Sequence, residues 1–295
     1  MKLYEITGTF VDVTFVNSTW TLEHIKKCWK SSVDMYPPNI LYPPIGIDDE
    51  EEIDVELKRE KIILYLAQFR GEKRHDLAIK EFAKFNESNP NNEYILQFIG
   101  STRNEKDENL VSDLKKLAIS LKIDNKIIFK LNESYNEIKK MMKISEFGLN
   151  TMWNEHFGIS IVEYMANGMI PIVHASAGPL KDIVRSIDPK TKEIMSVEQG
   201  LLSSNLNTKS GFFFKDKSDP DYDSNTKFPT LSQVFNQISE LKQDEKIQIR
   251  SNALYVYQKK FTNKEFQDSW IKAVKFTSKL EQYKRGLKGK VESVY

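Results

Sequence analysis

Cysteine is almost absent from this chain: its 295 residues include one, Cys28. No disulfide framework can form within it, which fits a reducing compartment. A lone cysteine on a helical stripe reads as a small apolar filler rather than a reactive thiol. Histidine is scarce too, at four residues, and no pair among His24, His75, His156 and His174 has convincing metal-ligand spacing. A charge of one sign is also missing, because 43 basic and 42 acidic residues leave a formal +1. With no global positive field, nucleic acid is not expected as a partner. No apolar run approaches the roughly 20 residues needed to span a bilayer. The opening M-K-L-Y-E-I-T-G-T-F carries an early acidic residue and no apolar block, so it does not read as a signal peptide. Glycine-rich G-x-G-x-x-G and P-loop motifs and a Ser nucleophile motif are lacking as well. N-x-S/T triplets occur at Asn17, Asn86 and Asn132, but nothing else points to secretion.

What the chain does have is 40% hydrophobic residues, enough to build a large soluble core. A short helix over 3–9 precedes an apolar run at 11–16 and a helix with Leu22, Ile25, Cys28 and Trp29 on one stripe. An extended N-I-L-Y follows at 39–42. Residues 45–60, with D-D-E-E-E at 48–52, read as a solvated linker. From Lys61 the pattern becomes regular. Strands are expected over 62–67, 94–99, 126–129, 146–150 and 169–173, alternating with helices around 74–87, 106–121, 134–143 and 158–167. Single helices between strands imply right-handed crossovers and a parallel α/β sheet of Rossmann type. Residues 186–228 break that rhythm and read as surface excursions on either side of a strand at 211–214. The chain after Phe228 reads as helical to near its end.

In an open parallel sheet, ligands bind beyond the C-terminal ends of the strands. That rule directs attention to the loops at 68–73, 100–103, 151–158 and 174–178. The third loop packs Trp153, Asn154, Glu155, His156 and Phe157 just before a helix that begins at Gly158. A helix start offers unpaired N–H groups, and glycine allows an anion close to the backbone. A pyrophosphate can therefore sit on the amides of Gly158 and Ile159. The helix dipole contributes about 0.3–1 kcal/mol there, and each charge-assisted hydrogen bond roughly 1.5–3 kcal/mol, so the amides dominate. Glu155 lies in the loop and Glu163 two turns into the helix, which suits two hydroxyls of one extended ligand better than one shared metal. The plainer reading of Glu163 is a solvent-facing carboxylate. In Q-F-R-G-E-K at 68–73, Arg70 and Lys73 are candidates for phosphate. His174 closes a buried strand as a hydrogen-bonding wall residue, and Gly178 opens a turn beside the site.

Together these pieces resemble a known family. N-E-H-F-G-I-S-I-V-E at 154–163 resembles the paired-glutamate signature of the family 4 retaining glycosyltransferases with the GT-B fold, with Glu155 and Glu163 at its two Glu positions. The stretch 152–184 is more specifically similar to the α-1,2-mannosyltransferase subgroup of asparagine-linked glycosylation. V-N-S-T-W-T-L-E-H-I at 16–25, L-Y-P-P at 41–44, A-Q-F-R-G-E-K-R-H at 67–75 and G-S-T-R-N-E-K-D-E at 100–108 resemble its other blocks, in order. The resemblance implies GDP-mannose as donor, a dolichol-pyrophosphate-linked oligosaccharide as acceptor, and the cytosolic face of the endoplasmic reticulum as workplace. It implies Glu155 and Lys73 as catalytic residues, with Arg70, Phe157, Gly158, Ile159, Glu163 and Gly178 binding the donor, and neither metal nor cofactor. Gln68 stands where the wider family has an Arg, which leaves Arg70 as a substitute.

The resemblance also implies a division of the chain. Residues 1–44 correspond to the tail of a GT-B N-terminal acceptor domain, 45–60 to a linker, 61–275 to the nucleotide-sugar-binding domain and 276–295 to a helical tail. On that division the strand at 11–16 has no sheet to join, and residues 1–44 should exchange amide hydrogens fast. Donor binding is then the firm expectation. Transfer needs the acceptor domain, supplied by a partner chain or by an upstream part of the same gene product. A non-catalytic nucleotide-sugar-binding remnant is the alternative.

Overall fold

The structure, a computed structural model, describes residues 2–30, 37–46 and 52–286. Its first elements are α1 (Lys2–Gly8), β1 (Phe15–Val16), α2 (Thr19–Cys28) and β2 (Asn39–Ile40). Ser18 caps α2 by accepting the Thr21 amide, which frees the preceding residues to stay extended. β1 and β2 pair in parallel, Phe15 opposite Asn39 and Val16 opposite Ile40. The strand expected over 11–16 is thus only two residues long, and it is not orphaned, because β2 supplies its partner.

The larger sheet is built from β3 (Glu60–Leu66), β4 (Ile95–Gly100), β5 (Ile127–Leu131), β6 (Ser145–Asn150), β7 (Ile170–His174) and β8 (Phe212–Phe214). Between them lie α3 (His75–Ser88), α4 (Glu105–Ser120), α5 (Tyr135–Ile144), α6 (Ile159–Ala166) and α7 (Val197–Leu202). After β8 come α8 (Leu231–Ser239), α9 (Gln243–Lys260) and α10 (Asn263–Lys284). Every strand pair is parallel, and the order across the sheet is β5-β4-β3-β6-β7-β8. All six expected strands form, and several helices start where short polar side chains accept first-turn amides, as Asn104 does for Asp107 and Ser134 for Glu137. Ile63, Tyr65, Phe98, Phe147 and Ile172 are buried beneath α3, α4 and α8, which gives the core on one face. Met142, Tyr164 and Met169 fill the other.

β3 is flanked by β4 on one side and β6 on the other, so the strand order reverses between β3 and β6. Gly148 lets α6 approach this point, since a Cβ there would lie 2.2 Å from the Tyr164 ring. The Tyr164 hydroxyl accepts the Leu66 amide at 2.7 Å and donates to the Leu149 carbonyl at 3.2 Å. It thereby satisfies backbone groups of two strands that diverge here.

Two compact units divide the chain, residues 1–51 with 258–295 and residues 52–257. The sequence reading ends the donor-binding domain at 275, whereas the larger unit ends at Tyr257, within α9. The solvated-linker reading of 45–60 needs correction at its end. Arg59 is buried and donates to the carbonyls of Met142 (2.9 Å), Ser145 (3.1 Å) and Asn167 (2.5 Å). The acidic residues 48–51 lie outside the described residues. The excursion after 186 is not purely superficial either, because Thr208, Ser210 and Asp219 are buried.

Candidate functional site

The reversal of strand order leaves a crevice at the C-terminal ends of β3 and β6, where the following loops diverge to opposite faces of the sheet. The loop after β3 contains a tight turn, Gly71–Lys73, and the loop after β6 leads into α6. Both expected catalytic residues come together here. Lys73 Nζ lies 2.6 Å from Glu155 Oε2 and 3.1 Å from Met152 Sδ. Side chains beneath hold the loops in register. Thr151 Oγ1 reaches the carbonyls of Lys73 at 2.7 Å and Arg74 at 3.0 Å. The buried Tyr65 hydroxyl donates to the Lys73 carbonyl and accepts the Thr151 amide at 3.3 Å. Burial pushes the Tyr65 phenol far up, so it stays a neutral donor.

Gly158 begins α6 with φ +110° and ψ +66°, and no side chain caps this helix start. A Cβ at that position would meet Ile161 Cδ1 at 2.7 Å and Glu155 Cγ at 3.3 Å. Glycine therefore serves both the backbone angle and the close packing. The carbonyl of Gly158 receives the amides of Ile161 and Val162, so Ile159 and Ser160 carry the first-turn amides that an α-helix leaves without an intrahelical partner. Ile159 is exposed, whereas Phe157 is buried. Gly178 is needed for space. A Cβ on it would stand 2.5 Å from the His156 carbonyl oxygen and 2.7 Å from that of Phe157. The Gly178 amide donates to the Glu155 carbonyl at 3.0 Å, joining the loop after β7 to the loop after β6.

Glu163 is neither core nor freely solvated. It is partly buried, and desolvation raises its carboxyl from 4.5 to about 7. That burial corrects the solvent-facing alternative. A half-buried carboxylate at this place is an acceptor suited to ligand hydroxyls. Arg70, the expected substitute for the family's arginine, pairs instead with Glu72 in its own loop at 3.7 Å. Gln68 accepts from Arg103 at 3.2 Å. Among the described residues, no group of three His, Cys, Asp or Glu side chains is arranged to hold a metal ion. A cavity of about 820 Å³ runs along α3 and the end of α4, but neither Glu155 nor Glu163 lines it.

Sequence reasoning missed Arg74, Ser176 and Asp219. His174 was expected as a wall residue, and it is wholly buried between Ser176 Oγ (2.8 Å from Nδ1) and Asp219 Oδ2 (2.8 Å from Nε2). Asp219 also receives Arg74 at 2.7 Å. Burial alone would raise the Asp219 carboxyl. The hydrogen bonds from His174, the Asp216 amide and Arg74 outweigh it and hold the group at about 2. The only sequence signal was the D-K-S-D-P turn at 216–220, inside what read as an excursion.

This all-parallel sheet, with a crevice at the reversal of its strand order, is a Rossmann-like α/β fold of the kind found in GT-B glycosyltransferases. The glycosyltransferase of Rickettsia africae superposes with a TM-score of 0.66, covering 98% of this chain and 67% of that one at 18% identity. Anabaena HepE, solved with UDP and glucose, also gives 0.66, covering 92% and 65% at 13% identity. The family model described as "Glycosyl transferases group 1" matches residues 47–197, and the chain belongs to that family. Two yeast relatives are named GDP-Man:Man(3)GlcNAc(2)-PP-Dol alpha-1,2-mannosyltransferase. The protein of Kluyveromyces lactis is 40% identical over 92% of this chain and 47% of its own length. That of Candida glabrata is 39% identical over 93% of this chain and 55% of its own. The chain thus spans about half the length of the curated relatives it matches.

Proposed function

We propose that residues 52–257 bind GDP-mannose and present its mannosyl group for α-1,2 transfer to a dolichol-pyrophosphate-linked oligosaccharide in N-glycan precursor assembly. The observation that carries this reading is the Lys73–Glu155 pair, 2.6 Å apart at the strand-order reversal and beside the uncapped start of α6. Base and acceptor rest on the names of the yeast relatives. In the proposed complex the pyrophosphate sits on the Gly158 and Ile159 amides and takes the Lys73 ammonium. Glu163 accepts the ribose hydroxyls, and Glu155 faces the sugar near its anomeric carbon. As the glycosidic C–O bond breaks, its electron pair goes to the β-phosphate oxygen, and the amides and Lys73 stabilise that charge. The acceptor hydroxyl attacks the face that the phosphate vacates, so the α configuration is retained, and its proton passes to the departing phosphate. No metal is required, because ammonium and amides neutralise the leaving group.

The acceptor-binding surface comes from residues outside 52–257, in this chain or in a partner chain. The workplace is the cytosolic face of the endoplasmic reticulum. Among the described residues no helix is long and apolar enough to cross a membrane. Calorimetry of the chain with GDP, UDP and ADP tests the donor assignment. GDP is expected to bind best, and equal affinity for all three would sink it.

A further inference from the structure

We infer that Asp219 is a positioning residue that holds Lys73 and Glu155 in register across the crevice, an inference that rests on the donor-site reading above. Each of those two residues adjoins a non-glycine residue with positive φ: Arg74 at +54° follows Lys73, and Asn154 at +53° precedes Glu155. Residues other than glycine adopt this backbone conformation less readily, Asn being the most tolerant of it, and both positions here are tied from outside. Asp219 supplies both ties from its two carboxylate oxygens. Oδ1 accepts Arg74 Nη1 at 2.7 Å. Oδ2 meets His174 Nε2 at 2.8 Å, His174 Nδ1 meets Ser176 Oγ at 2.8 Å, and Ser176 Oγ accepts the Asn154 amide at 2.9 Å.

Proton positions follow from the ends of this chain. An ionised Asp219 can only accept, so His174 donates from Nε2. Its Nδ1 is then an acceptor, the Ser176 hydroxyl donates to it, and the serine lone pairs receive Asn154 N–H. Every member of the chain then has a partner. The Asp216 amide also donates to Asp219 Oδ2 at 2.8 Å, and Arg74 Nη2 reaches Ser218 Oγ at 2.8 Å, so the acceptor is itself fixed in place. An amide in place of the carboxylate can donate to Nε2 and reverse the tautomer. Ser176 then receives a proton from Nδ1 and loses its fixed direction, while Arg74 keeps only the longer pair with Asp216, at 3.3 Å. Asp219 and His174 are wholly buried, and nothing here requires either to touch the donor.

NMR titration of the wild-type chain, Asp219→Asn and Ser176→Ala with GDP and with guanosine separates positioning from general support. Both variants are expected to weaken GDP on the order of tenfold through misplacement of Lys73 and the Glu155 loop. Guanosine affinity should stay within about twofold, as for independent groups. Asp219→Glu should recover part of the GDP binding. Equal losses for the two ligands, or none for GDP, would overturn the inference. Should Asp219→Asn not fold, Ser176→Ala, which cuts only the Asn154 branch, decides the matter by the same two ligands. A wild-type chain that binds no GDP refutes the donor-site reading and this inference with it, whereas normal GDP binding by both variants refutes the inference alone.

Discussion

Lys73 Nζ and Glu155 Oε2 form an ion pair at 2.6 Å across the point where the sheet reverses its strand order. Glu155 therefore engages the ammonium that the proposed pyrophosphate would use. The two charges are only partly screened, with side chains 22% and 15% exposed. Replacing Glu155 by Gln should free Lys73 and tighten GDP binding by about 0.5–1 kcal/mol, the scale of a partly exposed pair. Lys73→Met should weaken it by about 1.5–3 kcal/mol, as a lost charge-assisted contact. Calorimetry with GDP checks both, and a weaker complex in Glu155→Gln would contradict the exchange.

Glu163 should impose a pH dependence on donor binding. Its carboxyl is raised to about 7, so in the free chain it is largely neutral below that pH and accepts donor hydroxyls poorly. GDP affinity is expected to rise from pH 5.5 to about 7 and then level off. Glu163→Ala should lose about 2–4 kcal/mol of binding at pH 8, for two hydrogen bonds to a charged group. In Glu163→Gln the rise with pH should vanish. Stability moves the other way. With the folded value above the unfolded 4.5, this group's contribution is fully present below 4.5 and is lost as pH rises through 7.

His75 offers a test outside the site. It stacks on Tyr65 and Phe69 with ring centroids 4.8 Å and 4.9 Å apart, and neither ring nitrogen has a hydrogen-bond partner. Burial lowers its value from 6.5 to about 4. The folded chain then holds fewer protons on this group than the unfolded one, so stability from its burial is present above 6.5 and lost as pH falls through 4. His75→Phe keeps the stacking and removes two unsatisfied polar atoms. It should stabilise the chain by about 1–2 kcal/mol at pH 5, read from urea unfolding at pH 5 and 7. A destabilised variant would show that the nitrogens find partners in solution.

Gly178→Ala should be harmful through space rather than backbone angle. Its φ is −58°, yet a Cβ would press on two carbonyl oxygens and on Phe157 Cα at 2.8 Å. The cost in stability should be about 1–3 kcal/mol, with GDP binding reduced as the loop bearing Glu155 shifts. Thermal melting and calorimetry together read this, and an unaffected variant would mean that the two loops part easily.

The sheet was legible because its strands are continuous apolar runs separated by amphipathic helices, and both patterns are local. Glu155 and Gly158 drew attention because they sit in a loop that ends in a glycine-started helix after a buried strand, whereas Lys73 rested on the resemblance of its own loop to a family block. Arg59 escaped notice because its partners, the carbonyls of Met142, Ser145 and Asn167, are brought to it only by folding. Arg70 was a reasonable choice by spacing, but its neighbour Arg74 is the one drawn inward, by Asp216 and Asp219 more than 140 residues away.

By itself, then, the amino-acid sequence determined the α/β alternation and the place of the crevice, since periodicity and turn chemistry act over a few residues. The tertiary structure alone decided that Lys73 meets Glu155, that Glu163 is desolvated enough to titrate near neutrality, and that an aspartate from the polar segment after β8 ties both loops. Those outcomes depend on burial and on hydrogen bonds between residues far apart in the chain, and such contacts exist only once the sheet has assembled.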